Sequence, residues 1–137
     1  MIVLDTNVVS ELMKVQPDAQ VGDWIKSIGD ETLTTTAVTI MEIEYGLQLL
    51  PEGRRKSELT KRFSSLIGTM AVLPLDDIAV HRAGQFRAAR HAAGFAPEVS
   101  DTMIAGIVSA VGATLATRNV RDFETLPIQL IDPWHAH

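Results

Sequence analysis

The chain has 137 residues, 46% of them hydrophobic and 21% charged, with a formal net charge of −5 and no cysteine. That length predicts one domain, spanning residues 1–137, and the apolar share excludes a disordered chain. The missing thiols exclude disulfides, zinc ribbons, iron–sulfur clusters and cysteine nucleophiles. The acidic balance, taken alone, argues against a nucleic-acid partner.

Ile2-Val3-Leu4 reads as a first strand, followed by a short helix through Val8, Val9 and Leu12. Pro17 opens a helix with Val21, Trp24, Ile25 and Ile28 on one face. Thr32–Thr36 is a Thr-rich second strand. Ile40, Ile43, Leu47 and Leu50 mark a helix ended by Pro51 and Gly53; Leu59, Phe63, Leu66, Ile67 and Met70 mark the next. Ala71–Leu75 is a third strand with Pro74 near its end, where lost pairing costs least. A helix through Ile78, Arg82, Phe86 and Arg90 stops at Gly94, and another carries Ile104, Ile107, Val108 and Val111. Thr114–Thr117 and Ile128–Ile131 complete five strands. Strands alternating with helices predict a doubly wound α/β domain, a mostly parallel sheet with helices on both faces.

The opening residues lack the basic stretch of a secretory leader and meet Asp5 at once. The longest uncharged run, Thr102–Thr117, has 16 residues, whereas a bilayer span needs about 20 apolar ones. It is expected as a buried helix running into a strand, with no membrane contact, in a cytoplasmic protein. Charge is uneven: between Gly53 and His91 eight basic side chains face three acidic ones. This predicts either solvated helix faces or a basic rim beside an acidic centre.

In open α/β sheets, ligands sit beyond the carboxyl ends of the strands. Asp5 ends strand one, Glu42 opens the helix after strand two, Asp101 opens the helix before strand four, and Asp122 follows strand four. All four belong on that edge. Each also has a structural explanation. Asp5 suits an N-cap. Glu42 fits a capping box with Thr39 as N-cap. Asp101 is favoured by the helix dipole, and Asp122 by solvation in a loop. Together they would raise one another's pKa and destabilise the fold, a penalty that a divalent cation removes. All-oxygen ligation favours Mg²⁺ or Mn²⁺ over zinc, with Thr6, Asn7, Thr117 and Asn119 at hand for water-mediated contacts. His81, His91, His135 and His137 form no zinc-like helical pair, and there is no dinucleotide, P-loop or nucleophile-elbow glycine motif.

The segments carrying these acids, Ile2-Val3-Leu4-Asp5-Thr6-Asn7, Thr39-Ile40-Met41-Glu42-Ile43-Glu44-Tyr45-Gly46, Ser100-Asp101-Thr102-Met103-Ile104-Ala105 and Ala116-Thr117-Arg118-Asn119-Val120-Arg121-Asp122-Phe123, together with Ile131-Asp132-Pro133-Trp134, resemble the ordered motifs of PIN-domain proteins, specifically the VapC/FitB-like toxins of bacterial toxin–antitoxin pairs. The resemblance implies strand order 3-2-1-4-5 and a metal-dependent endoribonuclease using Mg²⁺ or Mn²⁺. It places Asp5, Glu42, Asp101 and Asp122 in the acidic site, with Thr6 and Thr117 contributing hydroxyls. It further implies a cognate antitoxin in the acidic groove, a homodimer, and DNA contact only through the antitoxin. Ser100 and Asp132 stand where the family often has Ala and Asn; neither removes a ligand. On this reading Arg118, Arg54, Arg55 and Arg87 are candidates for phosphate contact, Arg118 having carboxylate pairing as its alternative.

Two rival readings remain at this level. A receiver-like signalling domain would use Asp76-Asp77 after strand three, but it also needs an acidic pair after strand one and a late Lys, and no Lys follows Lys61. A non-catalytic PIN fold acting as a binding module would have no use for four intact acids.

Overall fold

A computed structural model describes residues 1–136; His137 lies outside the described residues. In chain order the elements are β1 (Ile2–Leu4), α1 (Thr6–Leu12), α2 (Ala19–Ser27), β2 (Leu33–Thr36), α3 (Ala37–Leu49), α4 (Arg54–Ile67), β3 (Ala71–Leu73), α5 (Asp77–Ala92), α6 (Val99–Val111), β4 (Thr114–Ala116), a single 3-10 turn (Val120–Asp122) and β5 (Gln129–Ile131). All four strand pairings are parallel, in the expected order β3-β2-β1-β4-β5.

Side-chain alternation along β1 builds the layers. Ile2 and Leu4 point into a core with Val8, Val9, Trp24, Ile43, Leu47 and Phe63, from α1 to α4. Val3 points into a second core with Phe86, Ile104, Ile107, Val108 and Leu115, under α5 and α6. Central β2 tolerates its threonines because their hydroxyls hydrogen-bond the neighbouring strand: Thr34 Oγ1 donates to the Ile2 carbonyl at 3.1 Å and Thr35 Oγ1 to that of Leu4 at 2.9 Å. Buried polar groups so paired carry no desolvation penalty to speak of.

Several boundaries differ from expectation for local reasons. Asp18, not Pro17, caps α2, accepting from Gln20 N–H at 2.8 Å. β3 ends at Leu73, so Pro74 lies beyond the ladder it could not join. β4 ends at Ala116 rather than Thr117. Thr39 is not an N-cap: α3 begins three residues earlier, capped by Thr36, whose Oγ1 accepts from Thr39 N–H at 3.1 Å. Gly112 ends α6 in the left-handed region at φ 65°, where a Cβ would be strained. The uncharged stretch from Thr102 is a buried helix leading into β4, and among the described residues no helix is long and apolar enough to cross a membrane.

Candidate active site

The four acids reach the carboxyl edge of the sheet from four directions. Asp5 follows β1 directly and is only 4% exposed. Its Oδ1 accepts from Thr6 N–H at 2.8 Å, and its Oδ2 accepts from Thr117 Oγ1 at 2.7 Å and more weakly from Asn7 Nδ2 at 3.4 Å. Burial pushes the Asp5 carboxyl above its ordinary pKa, aided by the Glu42 charge and opposed by these hydrogen bonds. It is the N-cap of α1 as well, so the capping and site readings of Asp5 hold at once.

Glu42 lies one turn into α3, half-buried. Thr6 Oγ1 donates to its Oε1 at 2.7 Å; Thr39 Oγ1 lies 3.2 Å from Thr6 Oγ1 and 3.3 Å from Thr36 Oγ1. Each hydroxyl has one proton, and a carboxylate has none to give. With the Thr6 proton on Glu42, the Thr39 proton serves Thr6 and the Thr36 proton serves Thr39. A one-way chain of three threonines therefore holds Glu42 toward Asp5.

Asp101 sits in the first turn of α6, half-buried, and none of the hydrogen bonds among the described residues involves its side chain. Burial first, then the charges of Asp5, Asp122, Glu42 and Glu98, raise its pKa from 3.8 to about 7. That coupling brings all four predicted acids into one electrostatic cluster and adds a fifth, Glu98, the N-cap position of α6. Glu98 lies in the loop that sequence reading left unassigned; its only sequence signal is standing three residues before Asp101. Asp122 is exposed at the end of the 3-10 turn.

The supporting side chains hold the loops. Thr117 Oγ1 also accepts from Asn119 N–H at 3.1 Å, and Asn7 Oδ1 accepts from Arg118 N–H at 3.2 Å. Among the described residues Arg118 forms no carboxylate pair; its guanidinium carbon lies 4.8 Å from the Trp134 ring centroid. Asp132 does what Asn would do before Pro-Trp: its Oδ1 accepts from Trp134 N–H at 2.9 Å. Arg54 is paired with Glu58 at 2.9 Å on α4. Arg55 lines a separate surface hollow with Lys14 and Arg62. Asp76, the residue a receiver would use, caps α5 by accepting from Ala79 N–H at 2.9 Å.

Because Thr117 is the shortest contact of a buried carboxylate, Thr117→Val should cost about 1–3 kcal/mol in the metal-free protein, read from urea denaturation at pH 8.

Among the described residues no three Asp, Glu or His side chains converge closely enough to ligate one ion directly. The cluster offers carboxylate oxygens with fewer than three converging on one point, so a bound cation would have to keep waters in its shell. That suits Mg²⁺, which keeps several of its waters, better than a cation needing an all-protein cage.

A parallel sheet with four coupled carboxylates at its carboxyl edge defines a doubly wound α/β protein with an acidic cluster. The family model described as PIN domain matches residues 2–128, and the chain belongs to that family. Plasmid stability protein StbB of Pseudomonas syringae pv. tomato is 37% identical over 139 residues, covering 99% of this chain and 100% of the relative. The VapC ribonuclease Y4jK of Sinorhizobium fredii is 36% identical over 137 residues, covering 98% of each. The solved structure of FitAB bound to an IR36 DNA fragment matches at a TM-score of 0.90 and 31% identity, covering 100% of this chain and 98% of that one. The chain is thus a PIN-domain protein similar to VapC and FitB.

Proposed function

We propose that residues 1–137 form a metal-dependent endoribonuclease, the toxin of a toxin–antitoxin pair acting in the cytoplasm. The observation that carries this reading is the coupled acidic cluster at the sheet edge, where burial and then the neighbouring carboxylates push Asp101 to about 7. Likeness to a named VapC ribonuclease along nearly the whole chain supports it. Asp5 and Asp101 would hold Mg²⁺ or Mn²⁺, and Glu42 and Asp122 its waters or a second ion. When bound, the metal supplies Lewis acidity at the scissile phosphate and eases deprotonation of the attacking water.

The chain's own residues do the rest. Thr117 and Thr6 N–H fix the Asp5 carboxylate, and the threonine chain fixes Glu42. In the reaction, water oxygen bonds to phosphorus, the P–O3′ bond breaks, and the leaving oxygen takes up a proton. The products are a 5′-phosphate and a 3′-hydroxyl. Purified, antitoxin-free protein should cleave a mixed structured-RNA pool with Mg²⁺ or Mn²⁺ and not with EDTA, and Asp5→Asn should lower the rate at least about a thousandfold, in line with loss of a major electrostatic contributor. Cleavage in EDTA, or by Asp5→Asn at the wild-type rate, would refute the metal site. Neither metal binding nor cleavage would favour a binding module.

A cognate antitoxin is proposed to cover the acidic groove with a basic side chain and to bring any DNA contact, a reading favoured by the likeness to DNA-bound FitAB. A homodimer is proposed through α3, where Met41, Tyr45 and Leu49 form an exposed stripe at i, i+4, i+8. Tyr45→Asp should then shift the gel-filtration volume to that of a monomer; a wild-type monomer would remove this assignment.

A further inference from the structure

We propose that a groove along α5, beside the acidic site, holds single-stranded RNA flanking the scissile phosphate, with Arg87 contacting its backbone. The proposal rests on the ribonuclease reading and extends it to how substrate is held. The groove has a volume of about 710 Å³ and is lined by Gly84, Arg87, Ala88, His91, Ala96 and Pro97. The first four recur at i, i+3, i+4, i+7 and so share one helix face. Ala96 and Pro97 also line a small cavity of about 50 Å³ whose other walls include Glu98, Asp101 and Asp122. The groove and the cavity thus lie on either side of the same Ala96-Pro97 segment, which sets the groove beside the acids.

Charge selects the occupant. No carboxylate lines the groove, although the protein as a whole is acidic. Arg87 and His91 are exposed, and none of the side-chain hydrogen bonds or ion pairs among the described residues involves either of them. The other two α5 arginines are held internally. Arg82 donates to the Ser109 carbonyl at 2.7 Å and to its hydroxyl at 2.9 Å.

Arg90 lines the small cavity and not the groove. It is 6% exposed, donates through Nη1 to Thr125 Oγ1 at 2.9 Å, and lies 4.1 Å from the Phe95 ring centroid. Its Nε has no partner, and among the described residues no carboxylate lies within 4.0 Å of it. Arg90 therefore faces the acids of its cavity without a direct ion pair, and Arg87 is the exposed α5 guanidinium that a phosphate would meet. An apolar floor of Ala88, Ala96 and Pro97 under a cationic rim fits a single strand, whose bases rest on apolar surface while its phosphates meet arginine. The volume suits a nucleotide-sized ligand and not a duplex.

Two variants test this without entering the acidic site. Arg87→Glu reverses the rim charge. Gly84→Leu fills the groove, since a Cβ there meets nothing within 4 Å. Anisotropy of a labelled single-stranded oligoribonucleotide, with the full chain in EDTA, should show about tenfold weaker binding for each. The salt slope for Arg87→Glu should be shallower by about 0.7, one phosphate contact. In cleavage assays KM should rise with kcat retained, while a dinucleotide too short to reach the groove is cut equally by all three proteins. Unchanged binding and KM in both variants, with wild type cleaving, would overturn the groove and leave the ribonuclease reading intact. Wild type that neither binds nor cleaves RNA would overturn both. A change of oligomeric state in Gly84→Leu alone would assign the groove to a second copy of the chain and overturn the RNA assignment.

Discussion

Asp101→Asn is expected to abolish cleavage and, in the same protein without metal, to raise stability. The two effects have one cause. Asp101 is half-buried, and burial first, then the charges of Asp5, Asp122, Glu42 and Glu98, lift its pKa from 3.8 to about 7. A carboxyl whose folded pKa lies above its unfolded value gives stability that is fully present below about pH 4. That stability is lost as the pH rises through about 7. The metal-free wild type should therefore weaken across that window, and Asp101→Asn, in which only the raised carboxyl of Asp5 remains of the two, should weaken less. An isolated shift of that size would be worth about 4 kcal/mol. Solvent screening at a half-buried position brings the expected gap above pH 7 to about 1–2 kcal/mol. Urea denaturation of both proteins at pH 5 and pH 8, with EDTA and with Mg²⁺, checks this. With EDTA the gap should widen at pH 8. Mg²⁺ should close or invert it, because only the intact cluster gains from the cation. A variant less stable than wild type at pH 8 in EDTA would mean that Asp101 serves the fold.

Gly106→Ala is expected to be the most damaging single-methyl change in the chain. A Cβ at Gly106 would lie 2.4 Å from the Ala79 carbonyl oxygen and 2.9 Å from Ala83 N. Both are backbone atoms of α5, so no side chain can turn aside, and the two helices must separate. Overpacking of this kind costs about 3 kcal/mol or more, although alanine is the better helix former. Because α6 carries Asp101 and α5 carries the groove, cleavage should fall with stability. Urea midpoints of Gly106→Ala and of Gly106→Ser should both drop; a midpoint within error of wild type would show that α5 and α6 are free to move apart.

That same contact explains what was legible in the sequence and what was not. The three apolar residues before Asp5 mark a buried strand ending in a carboxylate, and parallel topology then fixes the edge at which the other acids must be sought. The inner face of α5 was harder to read. Periodicity selected Ile78, Arg82, Phe86 and Arg90, yet Ile78 is exposed and the buried positions are Ala79, Ala83, Phe86 and Arg90. Helices packed this closely admit only small side chains, so the most apolar residue is on the outside. The start of α3 was displaced because Thr36 and Thr39 are both residues that can cap a helix. Only the ladder with β3, reaching Thr36 opposite Leu73, decides between them. Glu98 and the buried state of Arg90 depend on how the 95–98 loop folds back, for which no local pattern exists.

The bond from Thr117 to Asp5 joins residues 112 positions apart. With β4 paired to β1 beside it, Asp5 receives its principal support from a strand translated long after it. On the ribonuclease reading, a nascent chain still short of Thr114 lacks both that support and Asp122. A nuclease of this design assembles its acidic edge only once Thr117 and Asp122 have been translated and β4 has docked on β1.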